Sequence, residues 1–178
     1  MGMRIAILAA AIASLPALSA IPEPAGLNPR LRASANEEPA FMLSGNGVYV
    51  YVCRPTAFDP KVYAWSFLAP DATLYEGSRS AGRLATAGIY ESLDDRTSVS
   101  GVVRATQPAG AGNLPWAMIR ARPADETSGL FQGVTSIQRV NTSGGAPPNG
   151  GCGSDTMGEE SRVTYNADYY FYRKRGAS

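Results

Sequence analysis

Apolar and polar positions alternate with a period of two along most of this chain. Residues 47–53, G-V-Y-V-Y-V-C, set Val48, Val50 and Val52 against Tyr49, Tyr51 and Cys53. Branched and aromatic side chains of this kind suit a pleated, half-buried surface. Residues 62–68 repeat the pattern, with Tyr63, Trp65 and Phe67 on one parity. Pro70-Asp71 is expected to end that strand, and residues 72–75 to resume as a short one. Further strands are predicted over 82–91, 98–106, 114–121 and 131–140, with turns at 76–78 and 94–96. Residues 163–172 form the strongest strand. Its first parity, Val163, Tyr165, Ala167, Tyr169 and Phe171, belongs to a core; the second, Thr164, Asn166, Asp168, Tyr170 and Tyr172, is polar and then aromatic. A strand so rich in tyrosine is expected to be paired on both sides.

No window long enough for a helix carries a helical apolar stripe, and Gly, Pro and Asp turns punctuate the domain. The fold class is therefore all-β, an antiparallel β-sandwich or a small β-barrel, with both left open. The chain of 178 residues fits a single domain. Residues 1–20 read as a signal peptide: Arg4, an apolar run broken by Ser14, Pro16, then small residues with cleavage near Ala20. The apolar run is shorter than the roughly 20 residues a membrane span requires. Residues 21–40, with four prolines, read as a disordered or extended mature arm. The β domain occupies 41–174 and a short tail 175–178. The expected address is secreted or periplasmic, with no membrane span after cleavage.

Charge and composition narrow the chemistry. Loss of Arg4 with the leader brings 16 basic residues to 15, equal to the 15 acids. A neutral domain lacks the basic face that nucleic acid requires. Histidine is absent, which removes His-dependent triads and the usual zinc and copper sites. No phosphate-binding or nucleophile-elbow motif occurs. No cofactor is expected. The two cysteines, Cys53 and Cys152, are expected to form a disulfide in an oxidising compartment. Closing a loop of about 100 residues adds roughly 4–5 kcal/mol on the chain-entropy model. The bridge would clamp the Gly/Pro-rich segment 138–152 to the first strand.

Carboxylates remain as possible acid–base groups, Glu91 and Asp168 foremost. Tyr170 and Tyr172, on the more polar parity, are candidates for an aromatic platform that stacks on sugars. Thr142, beside the paired glycines 144 and 145, is a further candidate for a ligand surface. These residues support three readings. The first is a non-enzymatic β-domain that binds a glycan or an extracytoplasmic protein. The alternative is a carboxylate-dependent polysaccharide hydrolase or lyase, which requires two carboxyls converging on an aromatic-lined cleft. The second alternative is a structural envelope component with no concave pocket.

The order of segments carries a resemblance. A Y-V-Y-V-C strand precedes W-S-F-L-A-P-D-A-T-L-Y at 65–75, then L-P-W at 114–116, S-I-Q-R-V-N-T-S-G-G-A-P-P at 136–148, G-C at 151–152 and finally V-T-Y-N-A-D-Y-Y-F-Y. Together these resemble DUF3455, a family of secreted bacterial and fungal proteins with no established activity. The family's motif resembling H-Y-A-G-P-T-W-E corresponds here to residues 84–91, with Leu84 at the histidine position and Tyr90 at the tryptophan position. The resemblance therefore implies no histidine-based site in this chain.

Protein denatured without reductant is expected to show no thiol reactive toward a maleimide, and two after reduction. Two reactive thiols before reduction would rule out the bridge.

Overall fold

The computed structural model describes residues 21–123 and 128–176; the predicted signal peptide and the last two tail residues lie outside them. Eight strands follow one another in a meander: β1 Glu37–Pro55, β2 Tyr63–Glu76, β3 Arg79–Ala85, β4 Ile89–Ser92, β5 Ser98–Gln107, β6 Trp116–Pro123, β7 Val134–Gly144 and β8 Glu160–Lys174. Every neighbouring pair is antiparallel, and β8 pairs back onto β1 to close a barrel. The choice between sandwich and barrel is thus settled for the barrel. Eight strands enclose an interior just wide enough for side chains or one small ligand. Among the described residues no helix is long and apolar enough to cross a membrane.

The inward parity of β8 is the one its alternation predicts. Tyr165, Ala167, Tyr169 and Phe171 are all buried, and the strand pairs with both β1 and β7. At one end of the barrel, here the base, Phe41 stacks on Phe171 with centroids 4.6 Å apart. Phe131, from the loop before β7, fills the remaining space 5.3 Å from Phe171. That loop is tied down by Asp95 in the β4–β5 turn. Asp95 Oδ2 accepts from the Leu130 N–H at 2.7 Å, and Oδ1 accepts from Thr97 Oγ1 at 2.5 Å and from the Thr97 N–H at 2.9 Å.

The opposite end, the mouth, is roofed on one side by the segment between β7 and β8. Cys53 at the end of β1 bonds Cys152, with Cα atoms 5.4 Å apart. The Cys53 N–H and C=O also pair with Glu159 and Gly158. Tyr51 Oη donates to Gly145 O at 2.5 Å and Trp65 Nε1 to Gly150 O at 2.8 Å. Gly144 and Gly145 both have positive φ, and a Cβ on Gly144 would lie 2.4 Å from Thr164 O, so only glycine fits there. The segment is a closure clamped to the first strand, as its cysteine and glycines indicate.

Three expectations change. The strand predicted over 82–91 is two strands, reversed by the 3₁₀ turn Thr86–Gly88, in which Ala87 and Gly88 both have positive φ. Pro70 does not end β2. Leu68 is an extra residue in β2 opposite the Val50/Tyr51 step, and β3 pairs with β2 only from Ala72 onward. A residue without an N–H is tolerated at such a bulged, one-sided position. The arm predicted to be disordered over 21–40 is docked from Gly26 onward, and β1 begins at Glu37. Leu31, at the end of the 3₁₀ turn Pro29–Leu31, is fully buried on the outer wall. Its carbonyl accepts from Gln138 Nε2 at 2.6 Å, while Gln107 binds both Asn28 N and Gly26 O. Outward-facing amides on β5 and β7 thus give the arm's backbone the partners that order it.

The β3–β4 hairpin is short. Toward the mouth, β2 over residues 63–71 and β5 over 102–107 pair only with β1 and β6 respectively. A slot in the barrel wall lies between them, with the Thr86–Gly88 turn at its foot.

Burial acts to raise the pKa of Asp95, but hydrogen bonds from Thr97, Leu130 and Ser92 outweigh it and lower the pKa to about 2. A carboxyl depressed below its unfolded value, about 3.9, stabilises the fold above that value and loses its effect as pH falls through the folded one. Asp95→Asn should therefore melt below the wild type at neutral pH, and the gap should close toward pH about 2. Melting by near-ultraviolet circular dichroism across that range tests this; a gap that is constant with pH would refute it.

Candidate functional site

The slot opens into a cavity of about 420 Å³ inside the mouth of the barrel. The fold creates it by filling the base with Phe41, Phe131 and Phe171 while ending β3 and β4 early. Its depth is formed by Tyr49, Leu84, Tyr90 and Ile119, all buried. Its lip is formed by Phe67, Leu68 and Val103, each about half exposed. The lining is hydrocarbon and phenol with one charged side chain, Arg139 of β7.

Arg139 is only 7% exposed. It shares inward parity with Ile137, sitting opposite Ala117 of β6 and Tyr169 of β8. One terminal nitrogen, Nη1, donates to the Tyr49 hydroxyl, and Nη2 donates to Pro115 O at 2.8 Å. The guanidinium also lies 5.5 Å from the Tyr49 ring centroid, a cation–π contact. Nε is buried and has no partner. Among the described residues no carboxylate pairs with Arg139, and none lines the cavity. β6, whose Ala117 faces Arg139, runs six positions further to Pro123 before the acids at 125 and 126, which lie outside the described residues.

The surrounding phenols do not neutralise this charge. Burial pushes the hydroxyls of Tyr49, Tyr90, Tyr165 and Tyr169 above the ordinary phenol range, and that of Tyr51 up to about 12. They remain neutral dipoles. The Tyr165 and Tyr169 hydroxyls bond each other at 2.9 Å, and Tyr165 packs edge-on to Tyr49, centroids 4.8 Å apart. The guanidinium itself does not deprotonate. A full positive charge therefore sits inside the barrel beside a hollow, solvated by two hydrogen bonds and an aromatic face.

The residues singled out from the sequence do not gather here. Glu91 and Asp168 lie on β4 and β8, four places apart in a ring of eight, and both alternate with inward tyrosines. They therefore project outward from opposite walls and do not share a cleft. Glu91 is held by Arg83 at 2.6 Å and Arg96 at 2.9 Å. The Arg83 hydrogen bond lowers its carboxyl pKa against the opposing push of burial, and the charges of Arg83 and Arg96 add to the effect. Asp168 accepts from Asn141 Nδ2 at 2.8 Å in an open outer groove that also holds Ser44, Asn46, Tyr75 and Asn166.

Tyr172 is no platform: it is fully buried on the outer wall near the docked arm, donating to Gln138 Oε1 at 2.6 Å. Tyr170 is half-buried on the same face. Thr142 is buried and donates to Leu114 O at 2.6 Å, a bond that joins the end of β7 to the loop before β6. Cys53 and Cys152 form the bridge. Another hollow, of about 520 Å³, lies on the outside of β6 and β7, but its cations Arg32, Arg104, Arg120 and Lys174 are all exposed. The buried charge distinguishes the mouth. Arg139 was legible as a charged residue two positions from Ile137 on one parity of a strand. That signal was available but had no role assigned to it.

No curated protein and no solved structure matches the chain. The family described as "Protein of unknown function (DUF3455)" matches residues 86–173, a span that contains Arg139, Tyr90, Val103 and Cys152. Leu84 and Tyr90 both face the cavity; Tyr90 lies within the matched span and Leu84 just before it. The match and the segment order agree: residues 86–173 of the chain match the DUF3455 family.

Proposed function

We propose that this protein is a non-enzymatic, extracytoplasmic binding barrel that takes a small molecule through the slot into its mouth. One observation carries the reading: a packed eight-stranded barrel that is left hollow at its mouth, around a buried charge that no carboxylate pairs with among the described residues. A concave, mostly apolar cavity of a few hundred cubic ångströms with a few placed polar groups is the common form of a small-molecule site. The Cys53–Cys152 bridge supports an oxidising compartment. The separation of Glu91 from Asp168 weighs against the paired-carboxylate hydrolase, and the cavity weighs against a purely structural role. The polar groove around Asp168 is where a glycan would lie under the original binding reading, but its side chains are largely exposed and bonded to one another.

A solvatochromic anilinonaphthalene dye should bind the oxidised protein at one equivalent, with a blue-shifted emission. Val103→Trp at the lip should weaken it at least about tenfold by filling the entrance. Stoichiometric binding that survives Val103→Trp would place the dye elsewhere and refute the mouth as the site.

A charge kept inside without a counter-ion lowers stability. Arg139→Met is therefore expected to leave the unfolding free energy unchanged or raise it by about 1–3 kcal/mol in urea titration. A loss of more than about 2 kcal/mol would identify Arg139 as a structural tie through Tyr49 and Pro115.

A further inference from the structure

Resting on the mouth as a binding site, we infer that its ligand is an amphipathic carboxylate, with the anionic head on Arg139 and an apolar body running out through the slot. The head follows from the donor count. A guanidinium has five N–H groups; Arg139 spends one on the Tyr49 hydroxyl and one on Pro115 O, and Nε has no partner. Three donors are left, together with one whole charge. Neighbouring N–H groups of a guanidinium match the two oxygens of a carboxylate. A monoanion neutralises the charge in full; a dianion would bring a second charge that no group in the lining answers.

The body follows from the walls. Beyond Arg139 the lining is Leu84, Tyr90 and Ile119 in depth and Phe67, Leu68 and Val103 at the lip. A sugar would bury hydroxyls against these surfaces without partners, at a cost for each. A hydrocarbon body instead completes an apolar surface that is half exposed at the lip. At about 30 Å³ for each water-sized volume, the 420 Å³ cavity has room for a head and roughly a dozen heavy atoms.

The test is isothermal titration calorimetry of the oxidised protein with decanoate and with decan-1-ol, which share a chain and differ in the head. Decanoate should bind about ten- to a hundredfold more tightly, the range for a hydrogen-bonded charge. Arg139→Met should reduce decanoate affinity to that of the alcohol, while Arg139→Lys, a point charge without the fork, should retain part of the preference. The wild-type comparison of the two probes does not depend on any variant folding. Equal affinities in the wild type, or a preference that survives Arg139→Met, would overturn the assignment of the head. If both probes then bind alike and Val103→Trp blocks both, the mouth remains the binding site; if neither probe binds, both conclusions fall.

Discussion

The pairing of β1 with β8 is the constraint on which everything else rests. It runs from Glu37 opposite Lys174 to Val52 opposite Glu160, joining the two ends of the domain along most of the longest strand. Without it there is no inside: Tyr49, Tyr165 and Tyr169 would face water, and the charge of Arg139 would need no special environment. The pairing is also among the most distant contacts the chain can make, so its closure entropy is large and a slow folding step is expected. The Cys53–Cys152 bridge acts on the same problem from the mouth, holding the turn before β8 against the end of β1. A covalent link of this span reduces the freedom of the unfolded chain most where the ladder needs it.

Within that closed wall, the two ends of the interior are treated differently. The base is hydrocarbon packed on hydrocarbon, with Phe131 brought in from a loop by Asp95. The mouth is tyrosine and arginine around a hollow. A buried cation whose partners among the described residues are a phenol, a carbonyl and a ring face is a poor way to stabilise a fold. Its position beside the hollow is what makes it informative, because a core that only had to be stable would accommodate a methionine there.

The sequence was most readable where structure is local or strictly periodic. Alternation in 163–172 assigned Tyr165, Ala167, Tyr169 and Phe171 to the core, and the compartment chemistry of two cysteines gave the bridge. Barrel or sandwich was not readable, because it depends on whether residue 37 meets residue 174, and no short window contains both. Tyr172 was misread because parity marks it as outward without revealing that the N-terminal arm covers that patch. Pro70 was misread because its tolerance depends on β3 stopping short of it on the neighbouring strand. The cavity was invisible for the same reason: it exists because one hairpin is shorter than its neighbours, a property of the assembled wall.

That short hairpin has a cost of its own. A closed barrel has no free edges, but the slot restores two, on β2 and on β5, and bare edges recruit strands from other chains. Both are blunted. β2 carries the bulged Leu68 and then Pro70, which has no N–H to offer. β5 carries Arg104 as the extra residue between Val103 and Ala105, a bulge with a charge on it. Proline, bulge and edge charge are the devices by which sheets refuse edge-to-edge growth. The opening is thereby kept unsuited to an incoming strand, which lets the barrel stay open on one side without becoming a seed for aggregation.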